Sequence, residues 1–256
     1  MRRRVLIDVI GTDWLYPDWP APATVRALTT TRSGGISAGS YASFNLATHV
    51  GDDARAVAEN RRRLREVAGL PAEPTWLDQV HGRKVVLLDQ ETSPGMPADA
   101  AVTREPGVVC AVLTADCLPL LMCDRAGSCV ASAHAGWRGL IGGVVESTVD
   151  AMGVALRDIM VWLGPAIGPN AFEVGDEVRD AFLSGDPAVT GAFRPSPAGR
   201  WLADLYALAR LRLEAMGVVE IYGGAHCTFL ESETFYSYRR DGVTGRMASM
   251  IWLDKR

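Results

Sequence analysis

The chain has 256 residues, 48% of them apolar and 22% charged, with a formal net charge of -4. That is a globular composition, and it excludes disorder, collagen and coiled coil. The acidic balance gives no reason to expect nucleic acid or an anionic membrane as partner.

The first residues, Met1-Arg2-Arg3-Arg4-Val5-Leu6-Ile7-Asp8, hold too short an apolar run for a signal peptide, and no apolar run is long enough to span a membrane. Five cysteines, an odd number without a secretion signal, point to a reducing cytoplasm rather than a disulfide framework. Lysine occurs only at Lys84 and Lys255, which leaves little scope for Schiff-base chemistry and no Gly-Lys-Ser/Thr phosphate loop.

Apolar runs predict strands at 5–10, 25–29, 85–88, 108–114, 120–123, 129–133, 159–163, 219–222 and 249–253. Residues 31–48, rich in Gly, Ser and Ala, read as a long loop, and 184–199, with three prolines, as a second. Asp52-Asp53 precede a helix over 54–68, and Gly69 follows it. A second helix is expected over 139–152, ending at Gly153, and a third over 205–216, capped by Asp204 and closed by Gly217. Asp124-Arg125-Ala126-Gly127 reads as a hairpin turn. Hairpins mixed with strand–helix–strand units imply a mixed α/β (α+β) fold, one domain over residues 1–256 with a mixed sheet under helical cover.

Several common motifs are absent: Gly-x-Gly-x-x-Gly, His-Glu-x-x-His and Cys-x-x-Cys. Gly35-Ile36-Ser37-Ala38-Gly39 matches the nucleophile elbow in letters but lacks the flanking strand and helix that pattern needs. The informative stretch is 108–139. One buried strand ends at Thr114-Ala115-Asp116-Cys117 and another at His134-Ala135-Gly136-Trp137-Arg138-Gly139, where a helix begins. Two strand ends thus each present a reactive side chain, Cys117 and His134. Cys110, Cys123 and Cys129 lie inside apolar strands and read as small hydrophobes. Spacing alone does not choose among the remaining histidines: His81, His49 and His226 all sit in polar turns.

Eight blocks follow in order: Thr30-Thr31-Arg32-Ser33-Gly34-Gly35, Phe44-Asn45-Leu46, Gln79-Val80-His81-Gly82, Thr114-Ala115-Asp116-Cys117, His134-Ala135-Gly136-Trp137-Arg138-Gly139, Gly164-Pro165-Ala166-Ile167-Gly168-Pro169, Phe172-Glu173-Val174-Gly175 and Phe235-Tyr236-Ser237-Tyr238-Arg239-Arg240-Asp241-Gly242. Together they resemble the polyphenol oxidase or laccase-domain family, also known as the purine nucleoside phosphorylase family related to the human protein FAMIN. Met247, after Gly245-Arg246, stands where Gln is expected in many members of that family; the metal-binding positions are unaffected.

The resemblance implies one metal held by His81, Cys117 and His134, usually zinc, with copper as the alternative. Those residues would then be catalytic as well as metal ligands. It implies phosphorolysis of adenosine, inosine, guanosine and methylthioadenosine, and deamination of adenosine. The partners are then a purine nucleoside and phosphate, with the chain a monomer or homodimer. Arg32, Asn45, Arg138 and Arg239, in the same blocks, are expected to bind substrate; Arg240 and Arg246 are further arginines that suit phosphate.

Two nitrogens and one thiolate leave a tetrahedral ion one open position, as in catalytic zinc sites. Four histidines in all cannot furnish a blue-copper site plus a three-copper cluster. Phenol oxidation would therefore have to use a single copper, with Met122 as a weak ligand. Two more readings compete with nucleoside chemistry. One is a metal-free cysteine hydrolase built on Cys117, and the second is a non-catalytic module closed by structural zinc.

Overall fold

The computed structural model describes residues 13–254. The expected strand at 5–10 and the near-terminal Lys255 lie outside that range.

In chain order the elements are β1 (Val25–Thr29), α1 (Ala54–Ala68), β2 (Val85–Leu88), β3 (Ala100–Thr103), β4 (Val109–Thr114), β5 (Leu118–Asp124), β6 (Val130–Ala135), α2 (Trp137–Gly142), α3 (Val144–Met152), β7 (Ile159–Leu163), β8 (Glu173–Val174), α4 (Asp176–Gly185), β9 (Phe193–Pro195), β10 (Trp201–Ala203), α5 (Leu205–Met216), β11 (Glu220–Gly223), α6 (Tyr238–Asp241) and β12 (Met247–Leu253). A six-stranded sheet runs β11-β7-β5-β6-β3-β2, with parallel pairs at its two edges and antiparallel pairs between. A three-stranded antiparallel sheet, β1-β12-β4, packs on it, and β8-β10-β9 form a small third sheet. The fold is thus mixed α/β with layered sheets under helices.

Strand alternation builds the layers. On β5, Leu118, Leu120 and Met122 point to the helix side and pack with Leu140 of α2, Val145 of α3, Phe182 of α4 and Leu208 of α5. Leu121 and Cys123 point the other way, against Cys110, Ile251 and Leu253 of the smaller sheet. The outer face of that sheet, Met250 and Trp252 included, is covered by Leu64 of α1 and by Phe44 and Leu46. Every residue of β4, β5, β6 and β12 is buried, which is why these strands read as near-continuous apolar runs. Leu121 has no exposed surface, and Leu121→Ala is expected to cost about 2–5 kcal/mol.

Helix α1 forms where its caps predict. Asp53 accepts hydrogen bonds from Arg55 N and Ala56 N, and Gly69 ends the helix in the left-handed region at φ 60°. Its inward face carries the buried Asn60 as well as Val57 and Leu64. The Asn60 amide donates to Ser37 Oγ, Ser43 O and Asn45 O and accepts from Ile36 N, tying the long 31–48 segment to the helix. Ser37 donates to Asp52 just beyond that segment, which carries only a 3-10 turn at Gly39–Tyr41 and no nucleophile elbow.

Besides the short β8, β10 and α6, which the sequence does not mark, the chain departs from the sequence expectation at four places. The 139–152 helix begins two residues earlier and is broken by Gly143, whose φ of 89° ends α2 and starts α3. Strand β3 leaves no signal in the sequence, because four small residues give no period. Helix α4 is likewise unmarked: its N-cap is Gly175, with no side-chain cap. The 184–199 stretch holds a 3-10 helix over Pro187–Ala192 and strand β9 rather than open loop.

Candidate metal centre

Strands β5 and β6 run antiparallel, with Pro119 opposite His134. The turn into β5 and the exit from β6 therefore meet at one end of the large sheet. Cys117 lies on the first and His134 on the second. Asp116 has φ 92°, a rare conformation for a residue with a side chain. Its buried carboxylate accepts from Thr228 Oγ1 at 2.6 Å and from Arg239 N at 2.7 Å, which fixes this turn to the start of α6.

His81 arrives from the segment before β2. Gln79 pairs with Leu113, donating to its carbonyl at 2.9 Å and accepting its N–H at 2.7 Å. Asp99, with no exposed surface, accepts the N–H groups of Val80, His81 and Gly82 at 3.2, 2.9 and 2.6 Å. Those bonds hold His81 at φ 59°. Asp99 sits just before β3, and register places Ala100 opposite Ala133 of β6, so the same carboxylate also reaches His134 Nδ1, at 2.8 Å. With Nδ1 donating to Asp99, His134 turns Nε2 outward, as a metal-binding imidazole requires.

The ligand atoms of His81, Cys117 and His134 lie within 4.8 Å of one another, with Cys117 Sγ 4.0 Å from His81 Nε2. Ideal zinc bond lengths at a tetrahedral angle would separate S and N ligands by about 3.6 Å, so the set fits such an ion with a small inward shift. Gly136 makes room: a Cβ there would lie 2.9 Å from Cys117 Sγ and 3.3 Å from His81 Cδ2. Burial alone would push the Cys117 thiol up, but the charge and hydrogen bonding of His134, with help from His81, outweigh it and hold the thiol at about 6. Burial likewise opposes charge on His134, yet the Cys117 thiolate and the Asp99 hydrogen bond raise it to about 9. The two opposite shifts favour a thiolate–imidazolium pair in the metal-free cluster, and the thiolate is the form that binds metal.

The three side chains open into a cleft of about 410 Å³ that His49, Gln79, Thr114, Tyr238 and Arg246 also line. A larger cleft of about 900 Å³ adjoins it and shares His49 and Leu113. Among the described residues, ligand atoms converge only in the smaller one. Burial and the charge of Arg246 keep His49 below the ordinary imidazole value.

The remaining expected residues lie elsewhere. Arg32 is engaged with carbonyls, donating to Ala42 O and Ser232 O. Asn45 is fully buried and accepts from Arg246 N, so it supports the cleft wall from behind. Arg138 is exposed over the Trp137 ring at 4.2 Å. Arg239 donates to Glu173 O at 2.6 Å, and its backbone N–H serves Asp116. His226 pairs with Glu231 at 2.9 Å, away from the cluster. Met122 faces the helix-side core of β5 and is no metal ligand. Asp99 and Tyr238 are site residues that sequence reasoning misses.

A family model described as multi-copper polyphenol oxidoreductase laccase matches residues 26–254. The chain belongs to this family. It is 57% identical over 241 residues to a Pseudomonas aeruginosa protein named purine nucleoside phosphorylase PA4543, covering 94% of this chain and 98% of that one. It is 53% identical to the Escherichia coli protein named purine nucleoside phosphorylase YfiH, covering 93% and 98%. Among solved structures, Neisseria meningitidis protein NMB0706 superposes with a TM-score of 0.90 at 55% identity, covering 94% of this chain and 99% of that one. YlmD from Geobacillus stearothermophilus gives 0.88 at 36% identity, covering 94% and 96%.

The description of this laccase-like family speaks of several coppers. Among the described residues this member holds one His/Cys/His group, and no helix is long and apolar enough to cross a membrane.

Proposed function

We propose that the protein is a metal-dependent purine nucleoside enzyme that carries out phosphorolysis of adenosine, inosine, guanosine and methylthioadenosine and deaminates adenosine in the same cleft. The observation that carries this reading is the convergence of His81, Cys117 and His134 on a cleft open to solvent, in a chain whose relatives bear the name purine nucleoside phosphorylase.

Zinc fits the two-nitrogen, one-sulfur donor set and, when bound, supplies Lewis-acid chemistry. Asp99 fixes the imidazole of His134 and the backbone of His81, so two donors come from positions that cannot drift independently. The half-exposed ring of Tyr238 at the cleft rim offers a face on which a purine base can stack. In phosphorolysis a phosphate oxygen bonds to the sugar C1′ as the bond to the base nitrogen breaks; the base leaves with the electron pair and takes up a proton. In deamination water adds to the purine C6 and ammonia departs. The cleft volume lies in the range of small-molecule sites.

A nucleoside panel on metal-loaded protein, with and without phosphate, tests the reading. Free base with ribose 1-phosphate should form only with phosphate present, and inosine should form from adenosine without it. Base release at the same rate in phosphate-free buffer rejects phosphorolysis. The depressed thiol supports a metal-free cysteine hydrolase as the second reading. Chelation separates the two: the metal enzyme loses activity, whereas a cysteine hydrolase retains it.

A further inference from the structure

The arginines of the motif blocks differ in what their guanidinium groups already hold. Arg32 donates to two backbone carbonyls. Arg240 donates to three more and pairs with Asp241. Arg239 is bound to Glu173 O beside the Phe172 ring, and Arg138 lies exposed on Trp137.

Arg246 is different. Its side chain lines the cleft with His81, Cys117 and His134, and those of Arg32, Arg138, Arg239 and Arg240 do not. Its Nη1 donates to Thr244 O and Gly245 O at 2.9 and 3.0 Å, which anchors one edge of the guanidinium. Among the described residues, Nε and Nη2 have no protein acceptor and no carboxylate lies within 4.0 Å. A partly buried cation with two unengaged donors beside a solvent-open cleft is an anion site by its chemistry. Burial presses its charge down, and an arriving anion would offset that cost.

The backbone under Arg246 is held firmly. Its N–H donates to Asn45 Oδ1 at 3.0 Å. A Cβ at Gly245 would lie 2.7 Å from the Tyr236 ring and 2.9 Å from Asn45 Cβ, so only glycine lets the segment seat so closely. Tyr236 in turn donates to Tyr41 O at 2.6 Å. The guanidinium is also 5.8 Å from the Tyr238 ring, which places a charge and an aromatic face side by side on one wall.

We propose that Arg246 is the anchor for inorganic phosphate in this cleft, with its Nε and Nη2 donors engaging two phosphate oxygens, and that Asn45 is a positioning residue acting through the Arg246 backbone. The inference rests on the phosphorolysis reading for its role in turnover, but it makes a binding claim that stands apart from turnover. The phosphate lies on the wall that Tyr238 shares, so a base stacked there would have its sugar facing the anion.

The test is calorimetric titration of the metal-loaded protein with inorganic phosphate alone, for the wild type, Arg246→Ala, Arg246→Lys and Arg62→Ala. Arg62 lies on the exposed face of α1 and serves as the surface control. Loss of charge-assisted hydrogen bonds predicts that phosphate binds Arg246→Ala about tenfold or more weakly. Arg246→Lys should recover only part, because an ammonium cannot offer the same fork, and Arg62→Ala should match the wild type. In turnover the phosphate KM of Arg246→Ala should rise by the same factor, with the inosine KM changing far less. Wild-type phosphate affinity in Arg246→Ala, or no phosphate binding by the wild type, overturns the anchor. Arg246-dependent phosphate binding without cleavage of any nucleoside keeps the anchor and removes the phosphorolysis reading. Phosphate-dependent cleavage with an unchanged phosphate KM in Arg246→Ala does the reverse.

Discussion

Cysteine and histidine come together twice in this molecule, and the two places have different chemistry. Where the chain enters β5 and leaves β6, Cys117 and His134 are joined by His81, which arrives from a third segment. In the turn after β11, His226 and Cys227 are neighbours in sequence. There Glu231 accepts from Cys227 N at 2.6 Å and pairs with His226 Nδ1, while Cys227 Sγ accepts the Gly168 N–H at 3.2 Å. Those bonds close a local turn and bring no further nitrogen ligand. Metal binding needs side chains converging from separate elements, and sequence adjacency does not supply that.

The strongest way to break this comparison is to delete one ligand at each place. Cys117→Ala, His81→Ala and His134→Ala should each lose the metal and the activity, while His226→Ala and Cys227→Ala should keep about one metal per chain, as read by elemental analysis. Full occupancy in Cys117→Ala would sink the assignment. Removing the metal with a chelator should leave most of the circular dichroism in place, because the helix-side and inter-sheet cores are built without these three residues.

The next effect is one step removed. Asp99→Asn keeps the size of the side chain but weakens its hold on His134 Nδ1 and on three successive N–H groups. A drop of about 10–100-fold in metal affinity is expected. An unchanged affinity would mean that His134 is oriented by packing alone.

How much of this is legible in the sequence differs from residue to residue. Cys117 and His134 stand out because two buried strands end there, and strand ends are visible in hydrophobic patterning. The caps of α1 and α5 are equally plain, since Asp53, Gly69, Asp204 and Gly217 act on immediate neighbours. His81 cannot be told from His49 or His226 without the family resemblance. Its conformation is imposed by Asp99, and that link exists only once β3 pairs with β6. Asp99 itself precedes a strand of small residues that no period reveals. Arg246 carries no mark that separates it from Arg239 or Arg240; what distinguishes it is that Arg240 finds carbonyls at hand for two of its guanidinium nitrogens and that neither of those two lines the cleft. Long-range register and local acceptor supply are properties of the folded chain, and patterning does not encode them one residue at a time.

A smaller effect separates the cysteines by pH. In metal-free protein Cys117 ionises at about 6, whereas burial pushes Cys123 up to about 12 and Cys129 to about 11. Alkylation at pH 7 should therefore select Cys117 and run about tenfold faster than on an ordinary thiol, as mapped by mass spectrometry. The linkage signs follow from the two shifts. The Cys117 contribution to stability is present above the value of a free thiol and is lost as pH falls through about 6. The His134 contribution is present below the value of a free imidazole and is lost as pH rises through about 9. Metal-free protein should melt highest between those limits; a melting temperature that climbs steadily above pH 9 would contradict the thiolate–imidazolium pair.

The smallest effect concerns the charge nearest the cluster in sequence. Arg138 follows His134 by four residues and stands at the start of α2, where a free helix end and a cation together invite an anion. In the folded chain its guanidinium rests on the Trp137 ring in solvent, and it is not among the residues that line the cleft. An exposed cation of this kind contributes about 0.2–1 kcal/mol to an ionic contact, which is at most about fivefold in an apparent constant. Arg138→Ala should therefore raise the phosphate KM by less than Arg246→Ala does, and the increment should vanish at high salt, where exposed charges are screened. Steady-state kinetics of both variants at two ionic strengths would measure this. A larger, salt-resistant effect at Arg138 would reverse the ranking and move the anion to the mouth of α2, away from the wall that carries Tyr238.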